Sequence, residues 1–121
     1  MNKGKVSNLV TKGQVLWVDL PDVESGSVQK GRRPVVVISN NKGNQFSPVI
    51  LVAPLTSRKK KHLPTHVDVF ASETNGIKSD STVLCEQLFT IDKNSILDSI
   101  GRVSEEVMTK INKALCISLA L

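Results

Sequence analysis

Residues 26–38 read GSVQKGRRPVVVI, and this stretch decides the fold because a polar loop runs directly into an apolar strand. Residues 35–38 are all β-branched and apolar, which is typical of a strand that is buried on both faces. Pro34 has no N–H to donate, so it suits the beginning of such a strand. Arg33 is therefore expected at the rim of a rigid core, beside a glycine-containing loop. A planar guanidinium in that place is suited to a phosphate, and a plain surface arginine is the competing interpretation.

Strands are predicted on both sides of this stretch, where apolar residues alternate with polar ones or run together. The predicted strands span residues 13–20, 33–39, 48–55, 65–70, 82–86 and 95–102. Segment 40–44 has the composition of a turn, and a second short turn is predicted at 91–94. Segments 21–32 and 71–81 are predicted to be polar loops.

A helix is predicted at the end of the chain. Ser104 is a suitable N-cap, and two glutamates follow it at the positive end of the helix dipole. Apolar residues then recur at a spacing of three to four residues, as in an amphipathic helix. Several short strands followed by one helix predict a mainly β protein, a small and partly closed barrel with a C-terminal α-helix.

The length of 121 residues predicts a single domain, with 1–12 as a flexible tail and 13–121 as the folded part. The N-terminus has no long apolar run, so we expect a cytoplasmic protein with no membrane partner. Cys85 and Cys116 each lie among apolar neighbours and have no metal-binding spacing, which favours free thiols over a disulfide.

The net charge of +5 favours anionic partners, nucleic acid first. Part of that charge lies in the basic run 58–61, which begins with Arg58 and Lys59. The chain has three Phe, one Trp and no Tyr, so an aromatic platform for stacked bases is not expected.

Candidate site residues lie at the predicted strand ends and in the loop before the second strand. They are Arg33, Thr56, Glu86 and Gln87, together with Ser27 and Gln29. An arginine near a hydroxyl, a carboxylate and an amide can hold a phosphodiester and stabilise charge at phosphorus. RNA carries its own nucleophile, the 2′-OH, so its cleavage requires alignment and proton transfer but no metal or other cofactor. In the competing structural interpretation, Thr56 ends a strand and Glu86 is a solvated surface residue.

Two histidines give an alternative chemistry. His62 and His66 are four residues apart, but one falls in a loop and the other in a predicted strand, so they make a weak metal pair. They could instead act as acid and base in RNA cleavage, because histidine titrates near neutral pH.

The order and spacing of many segments resemble the MazF/PemK family of bacterial toxin endoribonucleases, in its Gram-positive form. The similarity covers about residues 12–121, and the matching segments are GQVLWVDL at 13–20, GS at 26–27, RPVVVI at 33–38, GNQFSP at 43–48, APLT at 53–56, LPTHV at 63–67, DS at 80–81, EQ at 86–87, TIDK at 90–93 and ALCISL at 114–119.

This resemblance implies an SH3-like barrel of the MazF/PemK/CcdB type that works as a homodimer. It implies the toxin of a toxin–antitoxin system, a sequence-specific and metal-independent endoribonuclease. Attack by the 2′-OH on single-stranded mRNA would leave a 2′,3′-cyclic phosphate and a 5′-OH. The implied partner is a cognate antitoxin whose C-terminal segment occupies the RNA groove, and the two together would bind DNA.

The resemblance also implies roles for particular residues. Arg33 and Thr56 fall on the principal catalytic positions. Ser27, Gln29, Glu86 and Gln87 fall on RNA-contacting positions, and the basic Arg58 and Lys59 are expected to bind RNA beside them.

The chain departs from the family pattern at two positions. Val28 lies where a glutamate usually follows Gly-Ser, and Phe89 lies where an arginine usually follows the Glu-Gln pair. Both changes remove charge near the expected groove. They motivate a second hypothesis, a catalytically weakened homologue that binds RNA or antitoxin, and a third hypothesis is a CcdB-like gyrase poison.

Overall fold

The computed structural model describes residues 10–21, 26–58 and 61–121. Within these ranges the chain forms the strands β1 (Gln14–Leu20), β2 (Gly31–Val37), β3 (Val49–Thr56), β4 (His66–Val69), β5 (Ser81–Leu84), β6 (Phe89–Asp92) and β7 (Ile96–Arg102), the helices α1 (Asn41–Phe46) and α2 (Glu105–Leu119), and a 3₁₀ turn (Lys93–Ser95). The prediction of a mainly β protein with a C-terminal helix is confirmed. Residues 1–9 of the predicted tail lie outside the described residues.

The strands form one antiparallel sheet in the order β4-β5-β3-β2-β1-β7, and β6 also pairs with β3. β6 pairs with the first half of β3, and β5 pairs with its last two residues, Leu55 and Thr56. Consequently β5 and β6 follow one another along the same edge of β3. The loop 85–88 between them, which contains Glu86 and Gln87, leaves the sheet at that edge.

β2 is buried on both faces, as its sequence predicts. Val35, Val36 and Val37 are all fully buried. Val36 packs in a core cluster that includes Ile111 and Ala114 of α2, while Val35 and Val37 belong to a second cluster. The strand is therefore a rigid element, and the loop before it and Arg33 are attached to its N-terminal end.

The C-terminal helix also follows the prediction. Ser104 is the N-cap, and its Oγ accepts a hydrogen bond from the Val107 N–H at 3.1 Å. Ile111 and Ala114 are the buried residues of the helix. No helix in the described part of the chain is both long and apolar enough to cross a membrane.

Of two predicted turns, the one at 40–44 is wrong, and the one at 91–94 is displaced toward the C-terminus. Segment 40–44 contains most of α1, because the Asn40 side chain accepts from the Gly43 N–H at 2.7 Å and caps a helix. The buried Asn44 then donates to the Ser39 carbonyl at 2.8 Å, a local side-chain contact that composition does not reveal. Segment 91–94 contains the end of β6 and the start of the 3₁₀ turn. β6 has only four residues, so it depends on its pairing with β3.

Candidate active site

Arg33 and Thr56 lie at the adjacent ends of β2 and β3. The pairing of these strands includes Val35 with Pro54. The same register, continued by two residues, places Arg33 opposite Thr56, and opposite residues project from the same face of a sheet. A cavity of about 580 Å³, the first cavity, opens at these strand ends. Its apolar wall includes Trp17, Pro34, Leu55, Ile77 and Ile100, and its polar lining comprises three cations, one carboxylate and four hydroxyls: Arg33, Arg58, Lys78, Asp98, Thr56, Ser57, Ser79 and Ser81.

The guanidinium of Arg33 is held by the loop that precedes it. Its Nε donates to the Lys30 carbonyl at 2.9 Å, and its Nη1 donates to Gln29 Oε1. These bonds use two of the five N–H donors of a guanidinium, which leaves three for a ligand. Burial, and then the nearby charge of Arg58, lower the pKa of Arg33 below its ordinary value. The site thus presents a fixed, partly desolvated cation.

The hydroxyl of Thr56 is also oriented. Thr56 is buried, and its Oγ1 accepts a hydrogen bond from the Arg58 N–H at 3.2 Å. Because the hydroxyl is used here as an acceptor, its own hydrogen can be donated to a phosphate oxygen. The same bond holds the beginning of the basic loop. Lys59 lies outside the described residues.

Two residues in the strands next to Thr56 were not predicted from the sequence. Thr82 pairs with both Thr56 and Asp68 in the strand register, so Thr56, Thr82 and Asp68 form a row across β3, β5 and β4. Thr82 Oγ1 lies 3.4 Å from Asp68 Oδ1. Alternation in 65–70 indicated that Asp68 is exposed, but the sequence offered no signal for its alignment with Thr56.

Gln87 connects the loop before β2 to the loop between β5 and β6. Its Nε2 donates to the Ser27 carbonyl at 3.0 Å, and its Oε1 accepts from the Gln29 N–H at 2.9 Å. Gln29 in turn accepts from Arg33. The structure therefore brings Ser27, Gln29, Gln87 and Arg33 into one chain of hydrogen bonds.

Glu86 belongs to a second polar group. Its Oε2 lies 2.8 Å from His66 Nε2, and its Oε1 accepts from Thr65 Oγ1 at 3.0 Å. Burial raises the pKa of the Glu86 carboxyl, but these bonds outweigh it, so the pKa falls below its ordinary value. Glu86, Gln87 and Ser27 line a second cavity of about 260 Å³, together with Lys61, Leu63, His66 and Leu84.

We expect Glu86→Gln to lower stability in a pH-dependent way. Folding lowers the pKa of the Glu86 carboxyl from its unfolded-state value of 4.5. The ionised carboxylate therefore stabilises the folded protein fully at a pH above 4.5, and this contribution is lost as the pH falls through the lower pKa of the folded state. Urea unfolding between about pH 6 and about pH 3 measures the free energy of unfolding of both proteins. The difference in this free energy between wild type and variant should become smaller below about pH 4.5. Glu73→Gln, on an exposed loop, is the matched control. A difference that does not change with pH would contradict the hydrogen bonds that the Glu86 carboxylate accepts from His66 and Thr65.

Other candidate chemistry is less favoured. Cys85 is buried, and its pKa is raised to about 12 by burial and by Glu86, so it is a poor nucleophile. His66 is committed to Glu86, and His62 lies edge-on to it with 6.4 Å between ring centroids. Among the described residues, no three His, Cys, Asp or Glu side chains form a group that could hold a metal. Phe89 is half-buried and packs against the second core cluster.

The fold and the site define a small antiparallel β protein with a fixed arginine and an oriented hydroxyl at one cavity. The chain belongs to the family of PemK-like, MazF-like toxins of type II toxin–antitoxin systems, whose model matches residues 11–119. The resemblance noted in the sequence is thereby confirmed.

Known proteins of this kind are similar over nearly the whole chain. Endoribonuclease EndoA of Bacillus subtilis is 46% identical over 114 residues, which cover 93% of this chain and 97% of that protein. Endoribonuclease MazF of Staphylococcus saprophyticus is 40% identical and covers 93% of both chains. A solved endoribonuclease in complex with its cognate antitoxin, from a mycobacterial species, superposes with a TM-score of 0.76 at 28% identity, covering 93% of this chain and 96% of its own.

Proposed function

We propose that this chain is a cytoplasmic toxin that cleaves single-stranded mRNA at specific short sequences without a metal. The observation that carries the proposal is that Arg33 and Thr56, at adjacent ends of β2 and β3, line one cavity together with the cations Arg58 and Lys78. Relatives at 46% and 40% identity are endoribonucleases by name, which supports the same activity here.

In the proposed reaction the 2′-oxygen forms a bond to the adjacent phosphorus while the bond from phosphorus to the 5′-oxygen breaks. The products are a 2′,3′-cyclic phosphate and a 5′-OH. Arg33 holds the phosphate and stabilises the charge that develops on its oxygens. Thr56 aligns the phosphate through its hydroxyl, because an unassisted threonine is a poor base. The 2′ proton passes to water, and the 5′-oxygen takes a proton from water.

The RNA path runs along both cavities. Arg58 at the first cavity and Lys61 at the second supply cations for backbone phosphates. Ser27, Glu86 and Gln87 line the second cavity. Gln29 accepts a hydrogen bond from Arg33, which lines the first cavity. We assign RNA contacts to these residues and to Lys59.

We also propose two protein partners. An antitoxin would occupy the RNA groove with its C-terminal segment, and a structural relative solved with its cognate antitoxin supports this proposal. A second copy of the chain would complete a homodimer. Several large apolar side chains are exposed, as at a protein interface; they include Phe46, Phe70, Leu97, Ile117 and Leu119.

Val28 favours a second candidate, a homologue that binds RNA or antitoxin but cuts slowly. Val28 is 37% exposed in the loop that Gln87 holds, and its side chain cannot transfer a proton. Under this hypothesis Val28→Glu should raise the cleavage rate sharply. An unchanged rate would show that this position does not limit the enzyme.

The decisive experiment is incubation of the purified protein with a long single-stranded RNA in EDTA, beside Arg33→Ala, followed by sequencing of the cut ends. We expect specific cuts by the wild type and a loss of about 1,000-fold or more in the variant. Equal cutting by both proteins would overturn the role of Arg33. No cutting by either would favour the weakened homologue, and Val28→Glu would then decide it.

A further inference from the structure

The second cavity contains an anionic group that cleavage at Arg33 does not use. Glu86 is held there by hydrogen bonds from His66, from Thr65 and from its own backbone N–H, and its side chain is still 32% exposed. A carboxylate has about four acceptor positions on its two oxygens, so about one remains for a ligand. In an RNA groove lined by cations, an oriented carboxylate repels phosphate and attracts hydrogen-bond donors.

The bond to His66 orients the carboxylate. A carboxylate only accepts, so Nε2 of His66 must carry the proton in the 2.8 Å contact. Nδ1 of His66 is buried and has no hydrogen-bond partner within the described part of the chain. The neutral Nε2–H tautomer fits this site best, because an additional N–H at Nδ1 would be buried without an acceptor. His66 thus orients Glu86 without cancelling its charge.

The position of this cavity suits the base of a bound nucleotide. His66 pairs with Leu84, and Asp68 pairs with Thr82, which is opposite Thr56. The His66–Leu84 pair is thus two residues, or about 7 Å, along the strands from the Thr56 row. A volume of about 260 Å³ is below the usual range for drug-sized ligands, so it suits one planar ring. Leu63 and Leu84 offer apolar contacts, and Lys61 offers a cation for the attached phosphate.

We propose that the second cavity binds one base of the RNA and selects an amino-bearing base, with Glu86 accepting from the amino group and His66 positioning Glu86. Cytosine, adenine and guanine offer such a donor, whereas uracil presents carbonyl acceptors and one ring N–H. Acceptance of a base amino group by glutamate is an established kind of direct readout. This inference rests on the proposed endoribonuclease function and adds a base preference to it.

The test measures base preference at each position around the cut, using RNA with a randomised segment. The wild type should disfavour uracil at one position, and Glu86→Gln should weaken that preference roughly tenfold while the other positions keep theirs. His66→Phe, which removes the donor, should weaken the same preference, and His66→Gln, which restores an N–H donor, should retain more of it. Glu73→Gln, which lines neither cavity, should change nothing. A preference is a ratio within one sample, so a lower yield of folded protein does not alter it.

The results separate this inference from the proposed function. If the wild type cuts RNA and Glu86→Gln keeps every preference, the base site is wrong and the endoribonuclease remains. A position that depends on Glu86 but selects uracil would overturn the assignment to amino-bearing bases. If no RNA is cut, the proposed function fails, and the base site is then tested by measuring the binding of RNA oligonucleotides. Labelled oligo(C) and oligo(A) should then bind the wild type more tightly than oligo(U), and Glu86→Gln should remove the difference; equal binding by the wild type would overturn it.

Discussion

Replacing Arg33 with lysine is expected to lower the rate constant of RNA cleavage by about 100-fold or more, although the charge is conserved. The reason is the fork geometry of the guanidinium. Arg33 uses Nε and Nη1 to hold the Lys30 carbonyl and Gln29, and it offers its remaining donors to the ligand. A lysine ammonium is one point with three donors, so it cannot keep both loop contacts and also clamp a phosphate. Single-turnover cleavage of one defined RNA measures the rate constant directly.

The neighbouring Arg32 provides a matched control. Arg32 pairs with Asp19 and Arg33 pairs with Val18, so the two arginines project from opposite faces of β2. Arg32→Lys should therefore leave the cleavage rate constant within about twofold of the wild type. Emission from Trp17, the only tryptophan, should show that both variants retain the fold. If Arg33→Lys keeps more than about a third of the activity, the site needs only a positive charge, and the clamp is wrong.

The contrast between Arg32 and Arg33 illustrates what the sequence alone could predict. The apolar run after Pro34 predicted a buried strand and made Arg33, at the start of that strand, the candidate, and the resemblance to a family assigned the same residue. Neither argument shows which arginine faces the site, because that depends on the register of β2 against β1 and β3. The existence of the strand follows from local composition, whereas its register follows from pairing with distant segments.

The polar contacts of the site show the same limit more strongly. His66 and Glu86 are 20 residues apart, and Gln87 and Ser27 are 60 apart. Alternation predicted that His66 lies in a strand, but no local pattern indicates a carboxylate partner on a later loop. β6 was not predicted for a related reason. This short strand follows the loop that contains Glu86, and it is a strand only because it pairs with the first half of the distant β3. Interactions between distant segments are specified by the whole fold, so they had to be read from the structure.

Replacing Gly76 with alanine is expected to destabilise the domain by about 3 kcal/mol or more, which corresponds to a fall in Tm of about 10 °C. Gly76 has a φ of +72°, a conformation that side chains disfavour. A Cβ atom there would lie 1.9 Å from the Ile100 carbonyl oxygen, so the backbone of β7 or of the loop must move. Thermal unfolding followed by circular dichroism measures the change.

The close packing of Gly76 against Ile100 forms part of one wall of the first cavity, so Gly76→Ala should also affect cleavage. The loop is held to β7 by the Arg102 N–H, which donates to the Thr74 carbonyl at 3.0 Å. Ile77, next to Gly76, is buried and lines the cavity. Gly26→Ala is the matched control, because a Cβ there meets nothing within 4 Å and its Tm should stay within about 2 °C. If Gly76→Ala unfolds at the wild-type temperature, the loop does not pack against β7 this closely. If it is destabilised but cleaves RNA normally while folded, this loop supports the fold without shaping the site.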